Sequence, residues 1–381
     1  MTLPSANWNY PTAIRFGPGR IAELPDACRA LGIARPLLVT DPGLAKMPIA
    51  IDAAASVAAP IFSQLHANPV GADVEAGLAA YRSREHDGVV AFGGGSALDV
   101  GKVVAFMAGQ TRPLWDFEDK EDWWSRADPA GIAPIVAVPT TAGTGSEVGR
   151  AGVILDEAEG VKKIIFHPKM LPGIVILDPE LTLGLPPQVT AATGMDALSH
   201  CLEAYCAPGF HPMADGIAAE GTRLVATWLV RAVEDGTDVE ARGNMLAAAA
   251  MGATAFQKGL GGMHALSHPI GAVSGSHHGL TNAVLMPYIL AHNRPAIEER
   301  LARLAGYIGL EPSFDAFLAW IVELRRRLAV PHTLTELNVA EGGVERLAAM
   351  AEADPSAGGN PLPFHAAEAR QVLEAALVGR L

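Results

Sequence analysis

Hydrophobic residues in the first half of the chain form short runs that alternate with stretches of helical spacing. The runs rich in valine, isoleucine and leucine occupy residues 35–41, 59–65, 87–92, 133–139 and 173–178. Because their apolar residues do not alternate with polar ones, they predict strands buried on both faces, as in a parallel sheet covered by helices. Residues 71–86 and 96–110 show helical spacing between them. This alternation predicts a doubly wound α/β domain with helices on both faces of the sheet.

The pattern changes close to residues 183–188, where Gly184, Pro186 and Pro187 interrupt the chain. Before this point, residues 150–166 contain two β-rich runs around a polar turn and predict a hairpin. From residue 189 onward the spacing is almost entirely helical. We therefore expect two domains, an α/β domain over residues 1–185 and an all-α domain over residues 186–381.

Composition and charge exclude several classes of protein. Of the 381 residues, 50% are hydrophobic and 18% are charged, which is typical of a compact globular chain. A formal net charge of −13 without a dense basic cluster argues against a nucleic-acid partner. No run reaches the roughly 18 apolar residues that span a bilayer, and no leader pattern begins the chain. Three scattered cysteines fit a reducing compartment, so we expect a soluble cytoplasmic protein without a membrane partner.

Two glycine-rich turns follow predicted strands. The first, "GGGSALD", contains Gly94, Gly95 and Ser96, and Ser96 is expected to cap the following helix with Asp99 three residues on. The second, "PTTAGTGSEVG", combines glycines with hydroxyls. Backbone N–H groups in such turns can hold a phosphate at a helix N-terminus, although a tight turn alone also requires glycine.

Asp41 ends the run "RPLLVTD". At this position a carboxylate can accept hydrogen bonds from both hydroxyls of an adenosine ribose and repel a 2′-phosphate, which favours NAD over NADP. The alternative is an ordinary turn residue. A G-x-G-x-x-G fingerprint is absent from the N-terminal strand turn, so the expected dinucleotide site differs from the most common one.

Histidines and one aspartate recur at the spacing of a helical turn in the second half. Asp196 and His200 are four residues apart, as are His264 and His268, and the pair His277 and His278 follows. One carboxylate and three imidazoles drawn from these residues suit Fe(II) or Zn(II). The alternative is a set of ordinary hydrogen-bonded polar residues, and spacing alone does not decide which histidines are ligands.

These segments occur in an order that resembles the iron-dependent (group III) alcohol dehydrogenase family over essentially the whole chain. The matching segments are "FGPGR", "VTD", "GGGSALDVGK", "PTTAGTGSEV", "ATGMDALSHCLEAY", "HALSHPIGA" and "HHGLTNAVLMP". The resemblance implies a two-domain architecture like that of dehydroquinate synthase. It also implies four metal ligands, which are Asp196, His200, His264 and His278. His268 is then the expected proton carrier, and His277 has no assigned role.

The same resemblance implies a set of NAD-binding residues. They are Asp41, Asn68, Gly94, Gly95, Ser96, Asp99, Thr140, Thr141, Thr144 and Lys162. The neighbour of Lys162, Lys163, is an alternative for the lysine that reaches the nicotinamide ribose. A homodimer or larger homo-oligomer is usual among similar proteins and is expected here.

The expected reaction is metal-dependent hydride transfer between NAD and a short-chain primary alcohol or aldehyde, with Fe(II) or Zn(II) as Lewis acid. An alternative substrate is 4-hydroxybutyrate, whose distal carboxylate would need a cation such as Lys258 or Arg150. Further alternatives are a metal-independent reductase of the maleylacetate type, a non-catalytic NAD- or metal-binding protein, and a lyase like dehydroquinate synthase. The lyase would require converging basic residues beside the metal, which the sequence lacks around the predicted ligands.

Overall fold

The computed structural model of the chain describes residues 6–8 and 12–381. Close Cα neighbours divide it into two units, the first ending at Gly184 and the second spanning Leu185–Leu381. Within the described residues, no helix is both long enough and apolar enough to cross a membrane. Each unit is described separately below.

Seven strands of the described chain form the main sheet of the first unit, in the order β1-β2-β9-β6-β5-β3-β4. They are β1 (Ala6–Trp8), β2 (Ala13–Phe16), β3 (Pro36–Val39), β4 (Ile61–Phe62), β5 (Gly88–Gly93), β6 (Ile135–Pro139) and β9 (Ile174–Leu177). Only β1 and β2 pair antiparallel, and the other neighbours are parallel. Every residue of β3, β5, β6 and β9 is buried, which confirms the predicted parallel sheet.

The described part of the first unit also contains four α-helices, a hairpin and several short 3₁₀-helices. The helices are α1 (Leu24–Ala30), α2 (Pro48–Ser56), α3 (Gly71–Arg82) and α4 (Gly95–Met107). Strands β7 (Ala151–Asp156) and β8 (Val161–Phe166) form the hairpin that the sequence predicts, as a separate two-stranded sheet. Helix α4 begins where β5 ends, so the first glycine turn lies at the carboxyl edge of the parallel sheet.

Eight α-helices form the second unit in the described part of the chain. They are α5 (Pro187–Cys206), α6 (Pro212–Glu234), α7 (Val239–Ala255), α8 (Gly262–Ser274), α9 (His278–Tyr307), α10 (Phe314–Arg327), α11 (Val344–Ala353) and α12 (Ala366–Val378). The helical character predicted from residue 189 onward is confirmed. Helix α5 is central, since it packs against α6, α7 and α9 and is buried continuously from Thr190 to Cys206.

Helices α5 and α9 approach each other closely at Gly279. A Cβ atom added there would lie 2.4 Å from the carbonyl oxygen of Ala192 and 2.9 Å from Cβ of Asp196. No side chain fits in that space without moving the backbone. Glycine at this position therefore lets the first turn of α9, which begins at His278, lie directly against the α5 residue Asp196.

Replacing Gly279 by alanine is expected to destabilise the second unit by about 1–3 kcal/mol, because the added methyl group must separate two packed helices. The measurement is the midpoint of unfolding, followed by helical circular dichroism.

Gly216 provides the matched control, since it lies in α6 and an added Cβ would meet nothing within 4 Å. Gly216→Ala should leave the midpoint unchanged or raise it, because alanine favours a helix by up to about 1 kcal/mol over glycine. Equal midpoints for both variants would contradict the close approach at Gly279.

Candidate active site

Three of the four predicted metal ligands form one buried cluster. Asp196 and His200 lie one turn apart on α5, and His264 lies in the first turn of α8. One ligand atom from each of the three lies within 4.8 Å of the other two, and all three residues are buried. His278, the first residue of α9, places its Nε2 atom 3.7 Å from Oδ1 of Asp196. The fold thus brings the predicted ligands together from α5, α8 and α9.

Glu203 orients the imidazole of His264. Its Oε2 lies 2.6 Å from Nδ1 of His264, and its Oε1 accepts a hydrogen bond from the backbone N–H of Met263 at 2.7 Å. Because an ionised carboxylate only accepts, Nδ1 of His264 carries the hydrogen and Nε2 presents a lone pair. Glu203 follows Asp196 by seven residues on α5 and therefore shares its face. The seven-residue spacing from Asp196 to Glu203 is visible in the sequence, and it indicates that Glu203 faces the cluster.

Asn282 lies among the ligand atoms. Its Nδ2 donates to Oδ1 of Asp196 at 2.9 Å and lies 3.2 Å from Nε2 of both His264 and His278. The candidate ligand atoms of Asp196, His264 and His278 therefore all lie within 3.2 Å of Nδ2 of Asn282. Asn282 is four residues after His278 on α9, another helical spacing that the sequence contained.

The donor set has the chemistry of a first-row transition-metal site. One carboxylate and three imidazoles are the nitrogen and oxygen ligands that Fe(II) and Zn(II) accept, while Mg²⁺ or Ca²⁺ would need more oxygen ligands. Burial of the cluster and the carboxylate behind His264 are further features of metal sites in proteins. The residues present fit a divalent ion.

The two remaining histidines of the sequence cluster have different surroundings. His268 lies one turn after His264 on α8, and its ring stacks on that of His278 with centroids 5.4 Å apart. His277 is the N-cap of α9, where its Nδ1 accepts a hydrogen bond from the backbone N–H of Leu280 at 3.4 Å. His268 therefore lies beside the ligand cluster, and His277 has a capping role that the sequence did not reveal.

In the first unit, three of the predicted NAD-binding residues line one cavity of about 320 Å³, namely Asp41, Gly94 and Ser96. The cavity lies where β3 and β5 end, which is the edge of a parallel sheet at which ligands bind. Asp41 also makes a turn, because its Oδ1 accepts hydrogen bonds from the backbone N–H groups of Gly43 and Leu44. The position of Asp41 is thus compatible both with a contact to the adenosine ribose and with an ordinary turn residue.

The second glycine turn lies against the first. A Cβ atom added to Gly95 would lie 2.7 Å from Cγ2 of Thr144, and the backbone N–H of Thr140 donates to the carbonyl of Gly93. Thr141 is also adjacent, since its Cγ2 would lie 3.4 Å from a Cβ on Gly94. The two turns that the sequence singles out therefore form one surface.

The predicted cap at Ser96 is wrong. Gly94 is the N-cap residue of α4, and the hydroxyl of Ser96 instead donates to the carbonyl of Ala67 at 2.5 Å. The carbonyl of Ala67 takes the hydroxyl away from the helix N-terminus. Because Ala67 is distant in the chain, capping preferences read from the sequence around Ser96 do not predict this contact. The same hydrogen bond holds the segment containing Asn68 beside the first glycine turn.

The side chain of Asp99 joins the glycine turns to the hairpin. Its carboxylate accepts from the hydroxyl of Ser146 at 2.5 Å and from the backbone N–H of Val153 at 3.0 Å, and it lies 3.4 Å from Nζ of Lys102. These contacts support the shape of the second turn.

The two candidate lysines on β8 differ in their surroundings. Lys163 is buried, with Nζ 2.7 Å from Oδ2 of Asp156 and 3.0 Å from Oε1 of Glu159. Lys162 is partly buried on the same strand, opposite Leu155 of β7. The charge of Lys163 is therefore neutralised within the hairpin by Asp156 and Glu159.

Comparison with known proteins identifies the chain. The model of the iron-containing alcohol dehydrogenase family matches residues 11–179, and that of the C-terminal part of the Fe-containing alcohol dehydrogenase family matches residues 190–377. The chain belongs to the iron-containing alcohol dehydrogenase family. The resemblance seen in the sequence is thereby confirmed, and so is the expected two-domain fold class.

Individual relatives of this iron-containing alcohol dehydrogenase cover almost its whole length. A 4-hydroxybutyrate dehydrogenase of Cupriavidus necator is 41% identical, over 96% of this chain and 98% of its own. The crystal structure of a 1,3-propanediol oxidoreductase has a TM-score of 0.91 at 34% identity, covering 99% and 100% of the two chains. That of sulfoacetaldehyde reductase from Bifidobacterium kashiwanohense, in complex with NAD⁺, has a TM-score of 0.87 at 31% identity and covers 99% of each chain.

Replacing His264 or His278 of this alcohol dehydrogenase by alanine is expected to abolish metal retention, because either change removes one imidazole from a four-residue donor set. Metal content per chain after dialysis, measured by elemental analysis, tests this. His332→Ala is the control, since this exposed-surface histidine hydrogen-bonds only weakly to Gly379. A full metal complement in both ligand variants would contradict the assignment.

Replacing Glu203 by glutamine is expected to weaken metal binding by about 10- to 100-fold, because the carboxylate that orients a ligating histidine is lost while the side-chain size is kept. Competition with a chromophoric chelator measures the affinity.

The matched control is Glu323→Gln, which makes the same chemical change at an exposed glutamate that pairs with Arg326 on the same helix. Affinity for the metal should stay at the wild-type value in the control. An unchanged affinity in the Glu203 variant would show that the hydrogen bond to His264 has no part in holding the ion.

Proposed function

We propose that this chain is an NAD-linked, divalent-metal-dependent dehydrogenase that interconverts short-chain primary alcohols and aldehydes. The observation that carries the proposal is the buried cluster of Asp196, His200 and His264, with Nε2 of His278 beside it. Fe(II) is the proposed ion, and Zn(II) suits the same donors. Both the family and the donor set support this function.

The four ligands would hold an ion that, when bound, supplies Lewis-acid stabilisation and lowers the pKa of an alcohol hydroxyl. The alcohol must lose a proton from oxygen and a hydride from carbon. In the proposed reaction the O–H bond breaks and its proton passes to His268, directly or through water. NAD⁺, when bound, would accept the hydrogen of the C–H bond with its electron pair, so that the alcohol becomes the aldehyde and NAD⁺ becomes NADH. His268 is the proposed proton carrier because its ring stacks on that of the proposed ligand His278.

For NAD we propose the residues that the sequence analysis assigned. Those around the glycine turns are Asn68, Gly94, Gly95, Ser96, Thr140, Thr141 and Thr144, with Asp99 behind them and Lys162 on the hairpin. Asp41 at the edge of the cavity is proposed to contact the adenosine ribose and to disfavour a 2′-phosphate. The solved complex of sulfoacetaldehyde reductase with NAD⁺ supports this cofactor.

A second candidate substrate is 4-hydroxybutyrate, which is favoured by the 41% identity to a 4-hydroxybutyrate dehydrogenase. Lys258 is an unsuitable cation for its carboxylate, because the buried Nζ lies 2.6 Å from Oδ1 of Asp215 and 3.2 Å from the carbonyl of Tyr205. Arg150, whose guanidinium lies over the ring of Phe166, is the remaining candidate from the sequence.

The assembly of the chain into a homo-oligomer and its location in the cytoplasm also stay predictions.

The test is turnover of protein loaded anaerobically with Fe(II) and supplied with NAD or NADP. Substrates are 1-propanol, 1,3-propanediol and 4-hydroxybutyrate, and the absorbance of the reduced nicotinamide is followed. We expect turnover with NAD and a primary alcohol, and a loss of about 10²- to 10⁴-fold in kcat for His268→Gln, the usual contribution of a general base. The variant should retain its metal.

The other outcomes separate the alternatives. Equal turnover after removal of the metal would favour a metal-independent reductase of the maleylacetate type. Bound metal and NAD without turnover of any substrate would favour a non-catalytic binding protein. A much higher kcat/KM for 4-hydroxybutyrate than for 1-propanol would favour the ω-hydroxy acid as substrate.

A further inference from the structure

His268 has a carboxylate partner that no motif around the metal cluster includes. Oδ2 of Asp354 lies 2.8 Å from Nδ1 of His268, and the two residues are 86 positions apart in the chain. The side chain of His268 is 13% exposed and that of Asp354 is 10% exposed. Water therefore has little access to this ion pair or hydrogen bond, and its geometry depends on the protein around it.

The segment that carries Asp354 is fixed at both ends against α8. We call residues 354–360 the C-terminal strap. At one end Asp354 contacts His268, and at the other Asn360 exchanges two hydrogen bonds of 2.8 Å with the buried side chain of Asn293 on α9. Oδ1 of Asn360 also accepts from the backbone N–H of Gly262, the first residue of α8. The strap thus spans the two turns of α8 that carry His264 and His268.

The strap also lies in close contact with the backbone that precedes α8. A Cβ atom added to Gly359 would lie 2.0 Å from the carbonyl oxygen of Leu260. This contact and the paired amides leave the strap little freedom to shift relative to α8. The position of the Asp354 carboxylate is consequently determined by several contacts other than His268.

The carboxylate of Asp354 is itself held in one orientation. Its Oδ1 accepts a hydrogen bond of 2.8 Å from the backbone N–H of Ser356, while Oδ2 faces His268. Burial raises the pKa of Asp354, but His268 and Ser356 outweigh this effect and the pKa is lowered. The group is therefore an anion that accepts hydrogen bonds on both oxygens.

We propose that Asp354 is the positioning residue for His268, holding its imidazole in the tautomer with hydrogen on Nδ1. The lone pair is then on Nε2, the ring nitrogen that does not face Asp354. This inference rests on the proposed role of His268 as proton carrier. It adds to that role a residue from the strap, which acts through its hydrogen bond with His268.

The kinetic test compares four forms of the metal-loaded enzyme, which are wild type, Asp354→Asn, His268→Gln and the double variant. Asparagine keeps the size of the side chain and removes its charge. We expect Asp354→Asn to lower kcat for 1-propanol by about 10²-fold or more, with KM changed by less than about threefold, because the proton acceptor and not substrate binding is impaired. In the His268→Gln background the same substitution should cause no further loss of kcat.

The matched control is Glu352→Gln. Glu352 also pairs with a histidine, since its Oε1 lies 3.1 Å from Nδ1 of His365, and it lies two residues before Asp354, but both side chains of that pair are exposed. Its kcat and KM should equal those of wild type. Losses that multiply in the double variant would overturn the proposal, since they would show that Asp354 acts independently of His268. Loss of bound metal in Asp354→Asn would also overturn it.

A spectroscopic measurement tests the proposal without relying on turnover. Histidine labelled with ¹⁵N in zinc-loaded protein reports which ring nitrogen carries hydrogen, and comparison with His268→Gln assigns the signal. We expect hydrogen on Nδ1 of His268 in wild type and a shift toward the other tautomer in Asp354→Asn. The same tautomer in both would overturn the positioning role. Absence of turnover in the wild-type enzyme, by contrast, would contradict the proposed function. The ¹⁵N measurement would still show whether Asp354 sets the tautomer of His268.

Discussion

Burial of the Asp196 carboxylate within α5 is the constraint on which the arrangement of the second unit depends. An ionised carboxylate removed from water is costly unless opposite charge or hydrogen-bond donors compensate it. Compensation for Asp196 comes in part from α9, through the amide of Asn282 and the imidazole of His278. The glycine at position 279 allows that approach. Packing and electrostatics therefore specify the same contact between α5 and α9.

The two histidines of α8 are supported in the same way. Each presents Nδ1 to a buried or nearly buried carboxylate, His264 to Glu203 and His268 to Asp354. Each carboxylate uses its second oxygen to accept a backbone N–H. A ring held in this manner has one tautomer and little rotational freedom, which preserves the lone pair on the opposite nitrogen. One helix thereby carries two imidazoles oriented in the same way, for which we propose two different tasks, binding an ion and accepting a proton.

Local patterns predicted the elements whose environment is uniform along the chain. The strands β3, β5, β6 and β9 are buried on both faces, so their uninterrupted apolar runs were sufficient. The antiparallel pair β1 and β2 has only three and four residues, which is too short for a periodic signal. The helical pairing of Asp196 with His200 was also visible, because both lie on one face of α5.

Contacts between distant parts of the chain could not be predicted in this way. Ser96 satisfies a carbonyl from residue 67 instead of capping its own helix. Glu203 lies on the right face of α5, but its function depends on α8, which begins about sixty residues later. His277 was indistinguishable from its neighbour until the first turn of α9 showed it to be a cap. For Ser96 and Glu203 the decisive partner is set by tertiary packing, whereas the cap at His277 is a local contact with Leu280 that the histidine doublet alone does not reveal.

The long separation between His268 and Asp354 has a consequence for how the protein is made. A ribosome synthesises the first unit, the four ligands and His268 well before it reaches the C-terminal strap. Until residues 354–360 have left the ribosome, the imidazole of His268 has no carboxylate beside it and the first turn of α8 lacks its contact with Asn360. A nascent chain therefore contains all the proposed metal ligands before the carboxylate that is proposed to orient His268 has been synthesised.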